Sequence, residues 1–249
     1  MRRFYIDPGE ITNPQPQIKG ADVRHMQKVL RYSPGDRVTL IDGSGFEYPA
    51  VIEAMDKHTA RFSIIEKKWA ETSSPLELVV AQGFLKEKKM DTIIRHLTEL
   101  GLSRWIPVVS ERSVARPDSK RIMERMRRWE SIAIESLKQC GLSKLPVISP
   151  VMTFTELASS REEYNGKIVF WEEEKKPLEK LFPQKPAKIL VLIGPEGGFS
   201  ADEIHVAQAA GFQSISLGPR ILRAETAAIS ACTLMQYLYG DMKKNGPSQ

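Results

Sequence analysis

The stretch that decides the fold is Lys188-Ile-Leu-Val-Leu-Ile-Gly-Pro-Glu-Gly-Gly-Phe-Ser200. Residues 189–193 form an uninterrupted apolar run, which is typical of a strand buried on both faces. A glycine-rich bend follows, and Ser200 with Glu203 has the spacing of a capping box that begins a helix. Strand, bend and helix N-terminus in this order predict an α/β domain with a ligand site at the carboxyl end of the strand.

A second bend of the same kind is Leu217-Gly-Pro-Arg-Ile-Leu-Arg-Ala-Glu-Thr-Ala227. Its Gly218-Pro219 repeats the Gly194-Pro195 pair, and it also joins a short strand to a helix. The charged residues on or beside it are Arg220, Arg223 and Glu225. Each bend alone also fits an ordinary tight turn, and neither is a G-x-G-x-x-G or Walker motif, so neither a dinucleotide nor a nucleoside triphosphate is favoured.

Strands and helices alternate from residue 76 onward. We expect strands over residues 76–81, 105–109, 147–149, 167–171, 188–193 and 214–217, and helices over residues 90–100, 120–140, 200–211 and 224–238. Alternation of this kind predicts a mainly parallel sheet with helices on both faces.

The first seventy residues read mainly as β structure. Strands are expected over residues 37–42, 46–53 and 59–66, after a short helix with Asp22 as its N-cap. Several short strands in this length predict a small barrel, and the polar stretch over residues 71–75 predicts a linker. The predicted domains are therefore residues 1–72 and 73–249.

Charge is concentrated in one segment. The chain has 36 Lys and Arg against 31 Asp and Glu, a net charge of +5. Residues 85–144 contain 14 basic and 8 acidic side chains, or +6. Such a segment favours a polyanionic partner, although a solvated helix face is an equal alternative.

The remaining composition excludes several classes of protein. No uncharged apolar run approaches the length of a membrane helix, and the first residues do not form a signal peptide. Two cysteines, Cys140 and Cys232, cannot build a disulfide framework, and the histidines and cysteines lack metal-ligand spacing. We expect a cytoplasmic protein that uses neither a membrane nor a metal.

These motifs resemble the SPOUT methyltransferases, and more narrowly the RsmE family, the 16S rRNA (uracil(1498)-N(3))-methyltransferases. Besides the two bends, the resemblance is carried by His25-x-x-x-Val-Leu-Arg31, Thr98-Glu-Leu-Gly101 and Glu111-Arg-Ser113. It spans roughly residues 1–240. One departure is His96-Leu97, where a lysine is expected, and it puts only a local helix contact in doubt.

The resemblance implies a fold and a reaction. The N-terminal domain would be a PUA-like, RNA-binding β-barrel, and the C-terminal domain would be a SPOUT α/β domain with a trefoil knot. The protein would be a homodimer that binds S-adenosyl-L-methionine between knot loops and methylates N3 of uracil 1498 in 16S rRNA of the small ribosomal subunit.

The resemblance also implies roles for particular residues. The expected cofactor contacts are Phe170, Trp171, Gly194, Pro195, Glu196, Gly197, Gly198, Leu217, Gly218, Leu222, Ala224 and Thr226. Uracil N3 carries a proton, so the site needs a base or donors that stabilise the anion. Arg223 is the candidate donor. Glu225 is the candidate base, unless it orients Arg223 or caps the helix.

RNA contacts are expected from basic residues in two places. The candidates are Arg2, Arg3, Arg24, His25 and Arg31 in or beside the barrel, and Arg112 and Arg116 in the basic segment. His25 is equally compatible with a structural role, and Trp171 with a core position. Three alternatives stay open: another rRNA or tRNA target, a non-enzymatic ribosome assembly factor, and a phosphate-binding metabolic enzyme.

Overall fold

The computed structural model describes residues 2–70, 74–118, 120–178, 181–182 and 184–243. The chain divides into two compact units: residues 1–73 with 134–145, and residues 74–133 with 146–249. Most of the predicted linker, with its boundary between residues 72 and 73, lies outside the described residues, as does the tail after residue 243. The domain boundaries therefore stay a prediction.

The first unit contains a mainly antiparallel sheet. Its elements are β1 (Arg3–Tyr5), α1 (Pro8–Ile11), β2 (Gln17–Lys19), α2 (Ala21–Lys28), β3 (Arg37–Ile41), β4 (Phe46–Met55), β5 (Thr59–Ile64) and β6 (Lys68–Trp69). The strand order is β1-β3-β4-β5-β2, with β6 paired to β4, and within the described residues only the β1–β3 pair is parallel. The predicted β3, β4 and β5 are confirmed, whereas closure of the sheet into a barrel stays a prediction.

The core of this unit follows from the alternation of its strands. Leu40, Ile52 and Phe62 come from three neighbouring strands and are almost completely buried in one apolar cluster. Burying alternate residues of each strand on one face is what fixes the register of an antiparallel sheet.

The predicted N-cap of α2 is wrong. The helix begins at Ala21, and its N-cap is Gly20. Gly20 has a φ of 85°, a backbone conformation that glycine adopts with little strain. Asp22 lies in the first turn instead, and its carboxylate is 3.0 Å from the ammonium of Lys138, in the part of the chain that groups with this unit.

The second unit contains a parallel sheet. Its elements are β7 (Glu77–Gly83), α3 (Glu87–Glu99), β8 (Arg104–Val109), α4 (Ile122–Cys140), β9 (Val147–Ile148), β10 (Met152–Thr153), α5 (Phe154–Ala158), β11 (Gly166–Phe170), β12 (Lys188–Ile193), α6 (Ala201–Ala209), β13 (Gln213–Ile215) and α7 (Ala224–Tyr239). The last residues of α4 group with the first unit. The order is β10-β8-β7-β12-β11-β13, and β9 pairs with β8. Every pair among the described strands is parallel, so the predicted mainly parallel sheet is confirmed.

Both faces of this sheet are covered. Leu190 and Leu192 of β12 share a buried cluster with residues of α5 and α6, including Ile204. On β12 the intervening Val191 is also completely buried, and α7 packs against β7 and β12. Burial on both faces explains why this strand is continuously apolar in sequence rather than alternating.

Strand register places three loops at one edge. Phe170, the last residue of β11, pairs with Ile193 of β12 and with Ile215 of β13. The three adjacent strands therefore end at the same level, and the loops that follow them meet. The trefoil knot stays a prediction. Among the described residues, no helix combines the length and the apolar character that a membrane span requires.

Candidate functional site

A cavity of about 330 Å³ lies at the carboxyl ends of β11, β12 and β13. Its lining residues are Lys89, Phe170, Trp171, Glu172, Ile193, Gly194, Pro195, Glu196, Gly198, Ser216, Leu217, Gly218, Arg220, Ile221, Leu222, Arg223, Ala224 and Ala227. They include ten of the twelve expected cofactor contacts. Gly197 and Thr226 do not line the cavity.

The bend after β12 forms one wall. The Gly198 amide donates to the Pro195 carbonyl over 3.0 Å, which closes the bend. Gly198 has a φ of 68°, and a Cβ there would collide with the carboxylate of Glu172. At the end of β7, a Cβ on Gly83 would overlap the backbone nitrogen of Pro195. Two glycines therefore permit a close approach of the backbone on either side of this wall.

Gly197 faces away from the cavity. A Cβ on this residue would lie 3.0 Å from Cβ and 3.1 Å from the carbonyl oxygen of Arg112, in the loop after β8. The two adjacent glycines of the bend therefore have different neighbours. Gly198 makes room beside Glu172 at the cavity, whereas Gly197 makes room for the neighbouring loop.

The capping box that follows the first wall is confirmed. Ser200 Oγ accepts from the Glu203 amide over 3.3 Å, and Glu203 Oε2 accepts from the Ser200 amide over 3.1 Å. These bonds fix the start of α6 directly after the bend.

The bend after β13 forms the opposite wall. Gly218 has a φ of 106°, and its amide donates to Ser216 Oγ over 3.1 Å. Arg223 is the N-cap residue of α7, but its side chain makes no capping hydrogen bond. It is exposed and lines the cavity, so its guanidinium is available to a ligand.

Lys89 is a lining residue that the sequence reasoning missed. It lies in the first turn of α3, and its Nζ is 3.1 Å from Glu196 Oε1 and 3.7 Å from Glu225 Oε2. Glu225 Oε2 is buried, and no hydrogen bond reaches it from the described residues. Glu225 therefore pairs with Lys89, and it does not line the cavity itself.

The signal for Lys89 was weak. It is one of three lysines in Lys86-Glu-Lys-Lys89, and composition cannot tell which of them turns inward. Its neighbour Met90 is buried in the core, which sets the rotation of the helix. Glu172, another lining residue that was missed, is part of the acidic run over residues 172–174 and carried no distinguishing pattern.

The cysteines lie elsewhere. Burial raises the pKa of the Cys232 thiol far above its usual range, so this group stays protonated. Cys140 is partly exposed. Neither residue lines the cavity. Among the described residues, no group of three or more His, Cys, Asp or Glu is arranged to hold a metal ion.

The expected RNA contacts in the first unit divide in two. Arg2, Arg3 and His25 line a groove of about 890 Å³ within this unit, whereas Arg24 and Arg31 are exposed outside it. The Arg3 guanidinium already donates to the Gly141 carbonyl and, over 2.7 Å, to Glu47. The other four side chains of this set are exposed.

The two arginines of the second unit lie on the loop after β8. Arg112 Nη1 donates to the Gly197 carbonyl, and Arg116 Nη2 donates to the Glu111 carbonyl, each over 3.4 Å. Both side chains are exposed, and neither lines the cavity.

Comparison with known proteins identifies both parts of the chain. Residues 72–236 match the family described as RNA methyltransferase domain, and residues 18–65 match the RNA methyltransferase PUA domain. The chain is 30% identical to ribosomal RNA small subunit methyltransferase E of Bacillus subtilis, with 95% of this chain and 96% of that protein covered. It is 32% identical to the protein of the same name from Buchnera aphidicola, with 96% and 97% covered.

Two solved methyltransferase structures have the same fold as this chain. The putative methyltransferase Lpg2936 of Legionella pneumophila, in complex with bound SAM, has a TM-score of 0.85 at 30% identity, covering 96% of this chain and 98% of that one. The ribosomal RNA small subunit methyltransferase E of Neisseria gonorrhoeae, bound to S-adenosyl methionine, also has a TM-score of 0.85, at 32% identity, covering 97% and 99%. The chain belongs to the RNA methyltransferases, in the family of ribosomal RNA small subunit methyltransferase E.

Proposed function

We propose that this chain methylates N3 of one uridine, the counterpart of uracil 1498, in the 16S rRNA of the small ribosomal subunit, with S-adenosyl-L-methionine as the donor. The observation that carries the proposal is the cavity between the loops after β11, β12 and β13, at the carboxyl edge of a parallel sheet. Two similar solved structures contain this cofactor.

The cavity fits a nucleoside-sized cofactor. Its volume lies in the range of small-molecule sites. Phe170 and Trp171 supply aromatic surface at the end of β11, and the two glycine bends expose backbone groups on either side. Gly198 lets the carboxylate of Glu172 lie against the bend, where any Cβ would collide with it. We assign the cofactor to the cavity.

The chemistry asks little of the protein beyond placement and charge. When bound, S-adenosyl-L-methionine supplies a methyl group on a sulfonium, which is transferred by displacement and requires no metal. The uracil must lose its N3 proton, and the resulting anion spreads onto both carbonyl oxygens. Arg223 lines the cavity and offers fixed N–H donors, which suit stabilisation of that anion.

Glu225 is the candidate proton acceptor, but its surroundings make it poorly placed for this role. Its Oε2 lies 3.7 Å from the ammonium of Lys89, so the carboxylate is already held in an ion pair. It also stands behind the wall of the cavity rather than in it. Arg223 is therefore the stronger of the two catalytic assignments.

Methylation at nitrogen agrees better with the cavity than methylation at carbon. Activation of a pyrimidine carbon needs a nucleophilic thiol, and neither cysteine lines the cavity. The proposal also includes a trefoil knot in the C-terminal domain, a cofactor held between its loops, a homodimer, and action in the cytoplasm on RNA bound by the N-terminal domain.

The direct test uses small subunits that lack the modification. They are incubated with the protein and labelled S-adenosyl-L-methionine, and the rRNA is digested and analysed by mass spectrometry. We expect one N3-methyluridine per subunit. Label on another nucleotide would replace the target, and binding of small subunits with no methyl transfer would favour an assembly factor.

A further inference from the structure

A buried carboxylate links the loop after β8 to the bend after β12 by hydrogen bonds. Glu203, almost completely buried in the first turn of α6, accepts from the Ser200 amide with Oε2. Its other oxygen, Oε1, accepts from the Glu111 amide over 2.8 Å. One side chain therefore ties residue 111 to the end of the bend over residues 194–200. The capping box alone would need only the first of these bonds.

Arg112 extends this connection to the middle of the bend. Its Nη1 donates to the Gly197 carbonyl, and its Cβ and carbonyl oxygen occupy the space that a side chain on Gly197 would take. An arginine has five N–H donors in a rigid fork, and within the described residues one of them is used here. The exposed remainder of the guanidinium is able to bind an RNA phosphate while the bond to Gly197 is kept.

We propose that Arg112 is a positioning residue that couples RNA binding to cofactor binding. A phosphate on Arg112 holds its guanidinium against the Gly197 carbonyl, and this keeps the bend in the conformation whose other side lines the cofactor cavity. A cofactor bound in the cavity favours the same conformation of the bend, so each ligand raises the affinity for the other by the same factor. The inference rests on the proposed function, because it needs both ligands.

The test measures S-adenosylhomocysteine affinity by equilibrium dialysis, with and without an in vitro transcript of small-subunit rRNA at constant ionic strength. For the wild type, we expect the transcript to tighten binding about fivefold or more, within the usual range of coupling between sites. We expect Arg112→Ala to abolish this tightening. The readout is the ratio of its affinities with and without RNA, because the variant also loses the bond to Gly197.

Two further variants separate coupling from charge and from folding. Arg112→Lys keeps the positive charge but replaces the fork with a point charge, so it should bind the transcript nearly as well and still lose the tightening. Arg127→Ala removes another exposed arginine of the same unit, on α4, and should keep the tightening in full.

The outcomes distinguish this inference from the proposed function. If the wild type binds S-adenosylhomocysteine equally well with and without RNA, or if Arg112→Ala keeps the tightening, the coupling is wrong while the methyltransferase assignment stands. If the wild type does not bind S-adenosylhomocysteine under either condition, the proposed cofactor site fails, and the coupling fails with it.

Discussion

The ammonium of Lys89 lies 3.1 Å from the carboxylate of Glu196, which joins the first turn of α3 to the bend after β12. The same ammonium is the charged partner of Glu225 at the start of α7. One lysine therefore connects two walls of the cavity, and it also compensates a buried carboxylate oxygen that has no hydrogen bond from the described residues.

Replacing Lys89 should therefore damage the site. We expect Lys89→Met to lower kcat/KM about tenfold or more, because it leaves the Glu225 carboxylate without its partner and releases Glu196. Lys89→Arg should recover part of the activity. Lys88→Met is the matched control, since Lys88 is exposed on the same helix. Equal activity of the Lys89 and Lys88 variants in steady-state methyl transfer would contradict the role of Lys89.

Arg223 provides a cleaner test of catalysis. Because its side chain does not cap α7, Arg223→Ala should leave the melting temperature nearly unchanged. Turnover should fall about 100-fold, as for removal of one donor to a developing anion. The rate constant of methyl transfer is measured under single-turnover conditions, and the melting temperature is measured by thermal unfolding. An unchanged rate would remove Arg223 from the active site.

Gly198 tests where the cofactor binds. We expect Gly198→Ala to weaken S-adenosylhomocysteine binding severely, because the new Cβ drives Glu172 toward the cavity and the φ of 68° is unfavourable for alanine. Gly211→Ala controls for the backbone strain, since Gly211 has a φ of 88° and open space around its Cβ position. The affinity of each variant for S-adenosylhomocysteine is measured by calorimetry. Similar affinities for Gly198→Ala and Gly211→Ala would show that this bend does not hold the ligand.

The pH dependence of stability can be predicted from Glu162, which lies at the amino edge of the parallel sheet, opposite the cavity. Burial by itself would raise the pKa of Glu162, but hydrogen bonds from Arg104 and Lys188, at the amino ends of β8 and β12, lower it from 4.5 to about 2. A lowered pKa in the folded state stabilises the fold above pH 4.5. This contribution is lost as the pH falls from 4.5 toward 2.

The matching variant is Glu162→Gln. We expect it to lower the free energy of unfolding at pH 7 by about 1 kcal/mol, a modest value because the group is partly exposed to solvent. Denaturant titrations across this range should show the difference from wild type shrinking as the pH approaches 2. Since Glu162 is remote from the carboxyl edge, S-adenosylhomocysteine affinity at pH 7 should not change. A stability difference that is independent of pH would contradict this account.

The sequence predicts long elements of this fold better than short ones. The buried run of β12 and the amphipathic α4 each carry a period that identifies them, whereas β2 and β10 have only three and two residues, too few for any period to show. These short strands are held by pairing with β5 and β8, partners distant in sequence.

For the candidate site, too, local sequence patterns predict some features and tertiary contacts decide the others. The two glycine bends are local patterns, and most of the residues expected there do line the cavity. Which of the two adjacent glycines lines the cavity depends on the loop after β8, where Arg112 lies 85 residues away from Gly197. The inward position of Lys89 depends on the packing of α3. Tertiary contacts of this kind leave no signature in the local sequence.

The central claim is that the loops after β11, β12 and β13 hold the methyl donor between them. The most direct measurement is a crystal structure of this chain with S-adenosylhomocysteine. We predict that the ligand lies in the cavity, with its sulfur between the bends that contain Gly198 and Gly218, and with the side that carries the methyl group in the donor toward Arg223. A ligand bound elsewhere on the chain, with this cavity closed by its own side chains, would contradict it.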